Sequence, residues 1–209
     1  MRTRILFISL MLFSVSTYAQ KSTISAKQLL EKTSLLLESD TGAKIKFNTE
    51  FVLGADEGET QGVVWMKGDQ FVIETEQMKT WFDGLTQWSL IYEMEEVNII
   101  EPTESELLDL NPYWILKTYR KGYSIKLGGA KEGLNEIVLT AQKKSMDLQT
   151  IHLWINPTNG APKYIEVHRK DKSLNKIKVL DLKLNEQLTS DMFKFNAKDY
   201  PTVEEIDLR

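Results

Sequence analysis

The sequence predicts a mainly β, α+β fold in which a long antiparallel sheet of about eleven strands is covered by a few short helices. Polar and apolar residues alternate over many short segments. Turn dipeptides such as Asp83-Gly84 and Asn159-Gly160 separate these segments. Helical spacing of apolar residues is confined to two stretches, near residues 25–38 and 103–120. Because no linker or repeat interrupts the pattern, we expect residues 20–209 to form a single domain.

The first nineteen residues have the features of a signal peptide. Arg2 and Arg4 precede an apolar run, and Thr17-Tyr18-Ala19 offers small residues where a signal peptidase reads. We therefore expect export and cleavage after Ala19. Losing both arginines makes the net charge of −4 more negative by two, and the basic cluster at residues 168–172 is interpreted as a polar hairpin end. An acidic chain of this kind predicts no nucleic-acid partner.

The first element after the leader is predicted to be an amphipathic helix. Ser25 and Gln28 have the spacing of a capping box, and leucines follow at helical intervals. Gly42 can end this region in a left-handed conformation. From Ala43 the apolar period changes to two, which predicts a strand through Leu53. Residues 54–61 are acidic and carry two glycines, and are predicted to form a loop.

The rest of the chain is a meander with one helical interruption. In that interruption Thr103 and Glu106 have capping-box spacing, and Asn111-Pro112 supplies a second helix start. The remaining strands are predicted at residues 62–67, 71–75, 78–82, 87–92, 97–100, 123–127, 134–141, 148–155, 164–168 and 177–184.

Residues able to carry catalysis are scattered and form no catalytic motif. His152 and His168 lie in separate predicted strands, outside any metal-ligand spacing. Glu93, Glu95 and Glu96 form the densest carboxylate group, which hairpin solubility explains. The chain has no cysteine, which excludes disulfides, thiol catalysis and zinc-thiolate sites. We therefore expect no enzyme, no catalytic residue, no metal and no cofactor.

The large apolar side chains are the unusual feature. They can all be interpreted as core, but a long sheet with few helices has more apolar inner face than the helices can cover. Either the sheet closes on itself, or part of that face lines a hydrophobic cavity that could hold an apolar ligand. At the Asp83-Gly84 hairpin, Trp88 is predicted to point into the cavity and Trp81 to cover the outside. The candidate lining residues are Leu30, Phe47, Phe51, Trp65, Phe71, Ile73, Trp88, Leu90, Ile99, Trp114, Ile115, Leu139, Leu153 and Ile165.

Four motifs occur in a characteristic order: Gly62-Val63-Val64-Trp65, Asp83-Gly84 followed by Trp88, the Asn111-Pro112 helix, and Phe193-Lys194-Phe195. With its N-terminal helix, the chain resembles the LolA family of periplasmic outer-membrane lipoprotein carriers. The resemblance implies an incomplete antiparallel β-barrel capped by helices around a hydrophobic cavity. It also implies a monomeric carrier in the periplasm that takes up acyl chains of lipoproteins or other lipids without covalent chemistry.

The implied partners are an inner-membrane donor complex and an outer-membrane acceptor, with only transient membrane contact. One position departs from the family: where the carriers have an arginine that holds the helical lid closed, this chain has Gly68-Asp69. The lid is therefore expected to be held differently. Two alternatives remain open, a lipid-sensing or protein-interaction module on the same fold and, on the scattered carboxylates alone, a hydrolase.

Overall fold

The computed structural model of the chain describes residues 24–38 and 40–209. The predicted leader at residues 1–19 lies outside them. Within this part, three helices and a 3₁₀ turn lie on one side of a sheet. The helices are α1 (Ala26–Leu37), α2 (Glu104–Leu110) and α3 (Ile115–Thr118), and the 3₁₀ turn Pro112–Trp114 joins α2 to α3. None of the described helices is long and apolar enough to cross a membrane.

The described residues form one sheet of twelve strands. The strands are β1 (Ala43–Leu53), β2 (Asp56–Lys67), β3 (Gln70–Thr75), β4 (Met78–Phe82), β5 (Gln87–Ile91), β6 (Glu96–Ile100), β7 (Tyr123–Lys131), β8 (Leu134–Ala141), β9 (Leu148–Ile155), β10 (Pro162–Arg169), β11 (Leu174–Leu184) and β12 (Glu204–Asp207).

Strand order explains why the sheet is an incomplete barrel. The order is β12-β6-β5-β4-β3-β2-β1-β11-β10-β9-β8-β7, so β1 lies in the middle, paired with both β2 and β11. The two edge strands, β12 and β7, are not paired with each other. Every described pair is antiparallel except β12 with β6. The prediction of an incomplete, mainly antiparallel barrel with short covering helices is confirmed.

Alternation along the strands divides the apolar residues between two faces. On the inner face, which the helices cover, Val64 and Ile73 are direct partners in the main hydrophobic cluster. On the outer face, Trp65 opposes Val72, which in turn opposes Trp81, and these residues belong to a second cluster. The C-terminal segment after β11 covers the second cluster with Leu188, Met192, Phe193, Phe195 and Tyr200.

Helix α1 begins where the sequence predicts. Ser25 and Gln28 form the reciprocal capping box, which satisfies backbone donors that the first turn leaves free. The helix buries Leu29 and Leu30 completely. It is also fixed by Thr33, whose buried hydroxyl lies 2.9 Å from the Gly160 carbonyl oxygen in the β9–β10 turn.

Two expectations about strands differ from the structure. Residues 54–61, predicted as a loop, are mostly the start of β2, which pairs with β1 as far as Asp56 opposite Leu53. This end of the hairpin is largely exposed, so both faces are polar and the alternating pattern disappears. Strand β12 was not predicted, because its four residues are mainly acidic and exposed and it is defined by backbone pairing with β6.

Candidate functional site

A largely apolar cavity lies between the inner face of the sheet and residues 104–118, which comprise α2, the 3₁₀ turn and α3 and are called the roof below. The cavity has a volume of about 180 Å³. Its floor consists of Phe47, Thr49 and Phe51 of β1, Val64 of β2, Ile73 of β3, and Asn175 and Ile177 of β11. Its roof residues are Asp109, Leu110, Asn111, Pro112 and Tyr113. The floor of the cavity is therefore formed by the central strands, each of which is paired with a neighbouring strand on both sides.

Asn111 and Tyr113 place buried polar atoms in the roof of the cavity. Asn111 caps the 3₁₀ turn by accepting from the Tyr113 backbone N–H at 3.1 Å. The Asn111 side-chain nitrogen and the Tyr113 hydroxyl are buried without hydrogen-bond partners. Burial raises the pKa of Tyr113, so its phenol stays neutral. Within the described ranges, no group of three or more histidine, cysteine or carboxylate residues could hold a metal ion.

The roof is tied down by Arg169 at the end of β10. One Arg169 guanidinium nitrogen donates to Asp109 of α2 and, at 2.6 Å, to Asp147 in the turn before β9. The arginine side chain is 13% exposed, whereas both aspartates are nearly half exposed. A single, largely buried cation therefore joins the helix to the sheet through two carboxylates.

A second tether joins the roof to the turn between β2 and β3. Lys117 of α3 donates to the Gly68 carbonyl oxygen at 2.6 Å and pairs with the Asp69 carboxylate. Its ammonium group also lies 5.0 Å from the centre of the Trp114 ring. This turn, Gly68-Asp69, is the position at which the resemblance predicts a departure from the family arginine. Here the cation lies on the helix and the acceptors lie on the turn.

The structure brings some of the predicted lining residues together. Phe47, Phe51 and Ile73 line the cavity. Trp114 belongs to the roof and packs edge-on against Phe71 at 6.1 Å, in the core beside the cavity. The other inner-face residues of the set, Leu30, Ile115, Leu139, Leu153 and Ile165, are core side chains of the main cluster. That these residues bind lipid stays a prediction.

The remaining predicted lining residues lie elsewhere. Trp65, Trp88 and Leu90 belong to the second cluster on the outer face. Ile99 directly opposes Trp88 in the pairing of β5 with β6 and therefore shares that face. These four side chains are separated from the cavity by the sheet itself.

The hairpin at Asp83-Gly84 shows why the faces were misjudged. Gly84 has a φ of +104°, as the predicted turn requires. Trp81 and Trp88 are direct cross-strand partners and share the outer face, so the prediction that they lie on opposite faces is wrong. The turn has four residues between the strands, an even number, so positions of opposite sequence parity face each other across it.

Several residues of the site were not identified from the sequence. Val64 and Ile177 follow the alternation of inner-face residues, which could have found them. Tyr113 follows the predicted Asn111-Pro112 helix start and could have been found as its first buried aromatic residue. Arg169 gives no local signal, because its partners are distant in sequence.

Comparisons with known proteins agree with this architecture. The sequence matches the family described as outer membrane lipoprotein carrier protein LolA over residues 15–171. A search of curated proteins finds no match. Among solved structures, an uncharacterized conserved protein from Thermus thermophilus has 16% identity and a TM-score of 0.58, and the alignment covers 87% of this chain and 98% of that one.

Two further similar structures have lower TM-scores. A LolA superfamily protein from Nitrosomonas europaea has 15% identity and a TM-score of 0.48, with 83% of this chain and 99% of that chain covered. A lipoprotein-sorting protein domain from Vibrio parahaemolyticus, described as putative, has 9% identity and a TM-score of 0.48, with 81% and 96% covered. Because the family match spans most of the sequence and the fold is an incomplete barrel roofed by short helices, this protein belongs to the LolA family of outer-membrane lipoprotein carriers.

Proposed function

We propose that this protein is a periplasmic carrier that binds the acyl chains of lipoproteins, or of other lipids, in the cavity beneath the roof. The observation that carries the proposal is an apolar cavity closed by a short helical segment that two polar tethers hold in place. Family membership supports a carrier or binding protein in place of an enzyme.

The cavity volume gives this proposal a mechanical consequence. At about 180 Å³ the cavity is smaller than the roughly 300–1,000 Å³ typical of sites for drug-sized ligands. A long acyl chain enters only if the roof moves away from β1 and β11. Within the roof, α2 is the part suited to such movement, because it has seven residues and buries one of them, Leu107. We infer that acyl binding displaces α2 from the sheet.

Burial of the chain supplies the driving force. Each buried methylene contributes about 0.8 kcal/mol, so a long chain gains on the order of 10 kcal/mol before ordering costs are subtracted. This energy does not distinguish one lipid from another. Selectivity for a lipoprotein then depends on the rim of the cavity and on the partners, which we propose to be an inner-membrane donor complex and an outer-membrane acceptor. In this scheme the carrier is a periplasmic monomer released from its leader after Ala19, and it touches membranes only transiently.

The experiment compares two matched variants of β1. Phe51 and Leu53 are 39% and 37% exposed, but only Phe51 lines the cavity. The protein and its Phe51→Asp and Leu53→Asp variants are purified natively from the periplasm, and bound lipid is extracted and identified by mass spectrometry. We expect lipid with the unmodified protein and with Leu53→Asp, and a loss of at least about tenfold with Phe51→Asp, because a carboxylate at the cavity opposes apolar burial.

The opposite result is equally clear. Protein that carries no lipid and binds no fatty acid at micromolar concentration contradicts the proposal. Equal lipid content in Phe51→Asp and Leu53→Asp would show that the lipid binds outside this cavity. A stable protein partner recovered in place of lipid would support the interaction module considered in the sequence analysis.

A further inference from the structure

A second concave site lies on the outer face of the sheet, on the half that the C-terminal segment does not cover. This site, called the outer groove below, has a volume of about 410 Å³, within the range of ligand sites. It crosses four adjacent strands, β1, β11, β10 and β9, a distance of about 14 Å at the usual strand spacing. A row of direct cross-strand neighbours forms its centre: Asn48, Lys178, Tyr164 and Trp154.

The floor of the outer groove is held in place by neighbours on the same face of the sheet. The Trp154 ring stacks on the His152 ring, with centroids 5.7 Å apart and planes 19° from parallel. The His152 Nδ1 lies 2.7 Å from a Glu136 carboxylate oxygen. The other Glu136 oxygen accepts from the Gly129 backbone N–H at 2.8 Å. A Cβ atom on Gly128 would displace this carboxylate, because it would clash with that same oxygen.

These contacts form a preorganised site. The glycines allow the β7–β8 hairpin to bend at an irregularity in its pairing between Leu127 and Ala130. The bend places the hairpin tip beside the floor, where Lys131, Glu132 and Leu134 complete the groove. An aromatic floor held by a stacked ring and a carboxylate loses little freedom when a ligand binds.

The charges of the outer groove identify the class of ligand. Three lysines and three glutamates line it, so their charges cancel. Lys176 already pairs with Glu50 at 3.6 Å. Such a lining offers donors and acceptors side by side without a net field, which suits hydroxyl groups, since each hydroxyl both donates and accepts. The Asn48 side-chain oxygen is a further acceptor, buried without a hydrogen-bond partner.

We propose that the outer groove binds an uncharged oligosaccharide. The C–H faces of its sugar rings stack on Trp154 and Tyr164, and its hydroxyls bond to the lysines, glutamates and Asn48. Nucleic acid is excluded because the basic groups are balanced by acidic ones. An acyl chain would leave these polar groups unpaired. An extended peptide suits an open sheet edge, whereas this groove crosses the face of paired strands. The inference is independent of acyl binding in the inner cavity.

Indole N–H signals in NMR spectra test the proposal directly. The chain has five tryptophans, all within the described residues, and the Trp154→Phe variant assigns the signal of Trp154. Chitotetraose, cellotetraose and maltotetraose are added separately at millimolar concentration to the exported form. We expect at least one of them to shift the Trp154 signal and to leave the buried Trp81 signal in place. Trp154→Ala should weaken that binding by roughly tenfold or more, and the control Trp88→Phe should not.

Three outcomes overturn the proposal: none of the three sugars shifts the Trp154 signal, Trp154→Ala binds as tightly as the unmodified protein, or a Gly-Ser tetrapeptide shifts the signal as strongly as the sugars. Lauric acid is added in a parallel experiment and is expected to shift the signal of Trp114 in the roof. That arm tests acyl binding separately, so failure of either proposal is recognised by its own signal.

Discussion

Replacing Arg169 by methionine should open the roof without unfolding the sheet. Methionine keeps an apolar stem of similar reach but removes the guanidinium that joins α2 to the sheet. The variant also leaves Asp109 and Asp147 close together with no cation between them, and like charges repel. The first structural consequence is therefore release of α2.

The magnitude follows from exposure. Ion pairs between exposed side chains contribute about 0–1 kcal/mol, while hydrogen bonds to charged groups reach about 1.5–3 kcal/mol when well buried. The Arg169 side chain is 13% exposed and its partners are 46% and 45% exposed, so the tether lies between these limits. We expect a contribution of about 1–2 kcal/mol. Losing it changes the balance between closed and open roof by roughly 5- to 30-fold.

Hydrogen exchange measures this opening at individual residues. Amides of α2 should exchange roughly 5- to 30-fold faster in Arg169→Met. Amides of β1 and β11, which hold the centre of the sheet, should change far less. The matched control is Arg120→Met, which removes a pair with Glu31 at 3.7 Å whose side chains are both more than half exposed. Unchanged exchange of α2, or equal acceleration in the control, would refute the assignment of Arg169 as a tether.

Three further predictions concern other parts of the structure. Lys117→Met should lower the free energy of unfolding by about 0.5–1 kcal/mol in urea titrations, less than Arg169→Met, because the carboxylate it pairs with is 73% exposed. Gly62→Ala places a Cβ atom 2.6 Å from the Phe47 ring and should destabilise by about 1–3 kcal/mol and weaken fatty-acid binding, whereas Gly58→Ala on the same strand, with open space around it, should be nearly neutral in both assays. Hydrogen bonds from the His152 side chain and a backbone N–H lower the pKa of Glu136 below its ordinary 4.5. The ionised carboxylate therefore stabilises the fold above that pH, and this contribution is lost as the pH falls through the lowered value. A stability difference between the protein and Glu136→Gln that persists unchanged at pH 3 would contradict this.

Local signals explain which elements were predictable. The capping boxes of α1 and α2 each involve residues three positions apart, so both helix starts can be recognised from the local sequence alone. Asn111-Pro112 likewise begins the 3₁₀ turn of the roof. The inner-face positions Phe47, Phe51 and Ile73 follow from alternation in their own strands. These predictions required no knowledge of which strands are neighbours.

Contacts between distant segments explain what was missed. Arg169 and Asp109 are 60 residues apart, and each is an ordinary polar residue in its own segment. The face occupied by Trp88 depends on the length of the turn before it and on the C-terminal segment that covers it. Tryptophan content therefore indicates how much apolar surface must be buried, but topology decides on which face.

If the cavity binds acyl chains as proposed, the two tethers also set a lower limit on the length of chain that can bind. A ligand that binds only the open form has its apparent affinity reduced by the fraction of molecules in that form. If the Arg169 tether stabilises the closed form by about 2 kcal/mol, a chain must bury two to three additional methylenes, at about 0.8 kcal/mol each, to offset it. Long lipoprotein acyl chains exceed this threshold easily, whereas short apolar molecules do not. A roof held by two moderate tethers can therefore select for chain length even though the cavity wall recognises no particular chemical group.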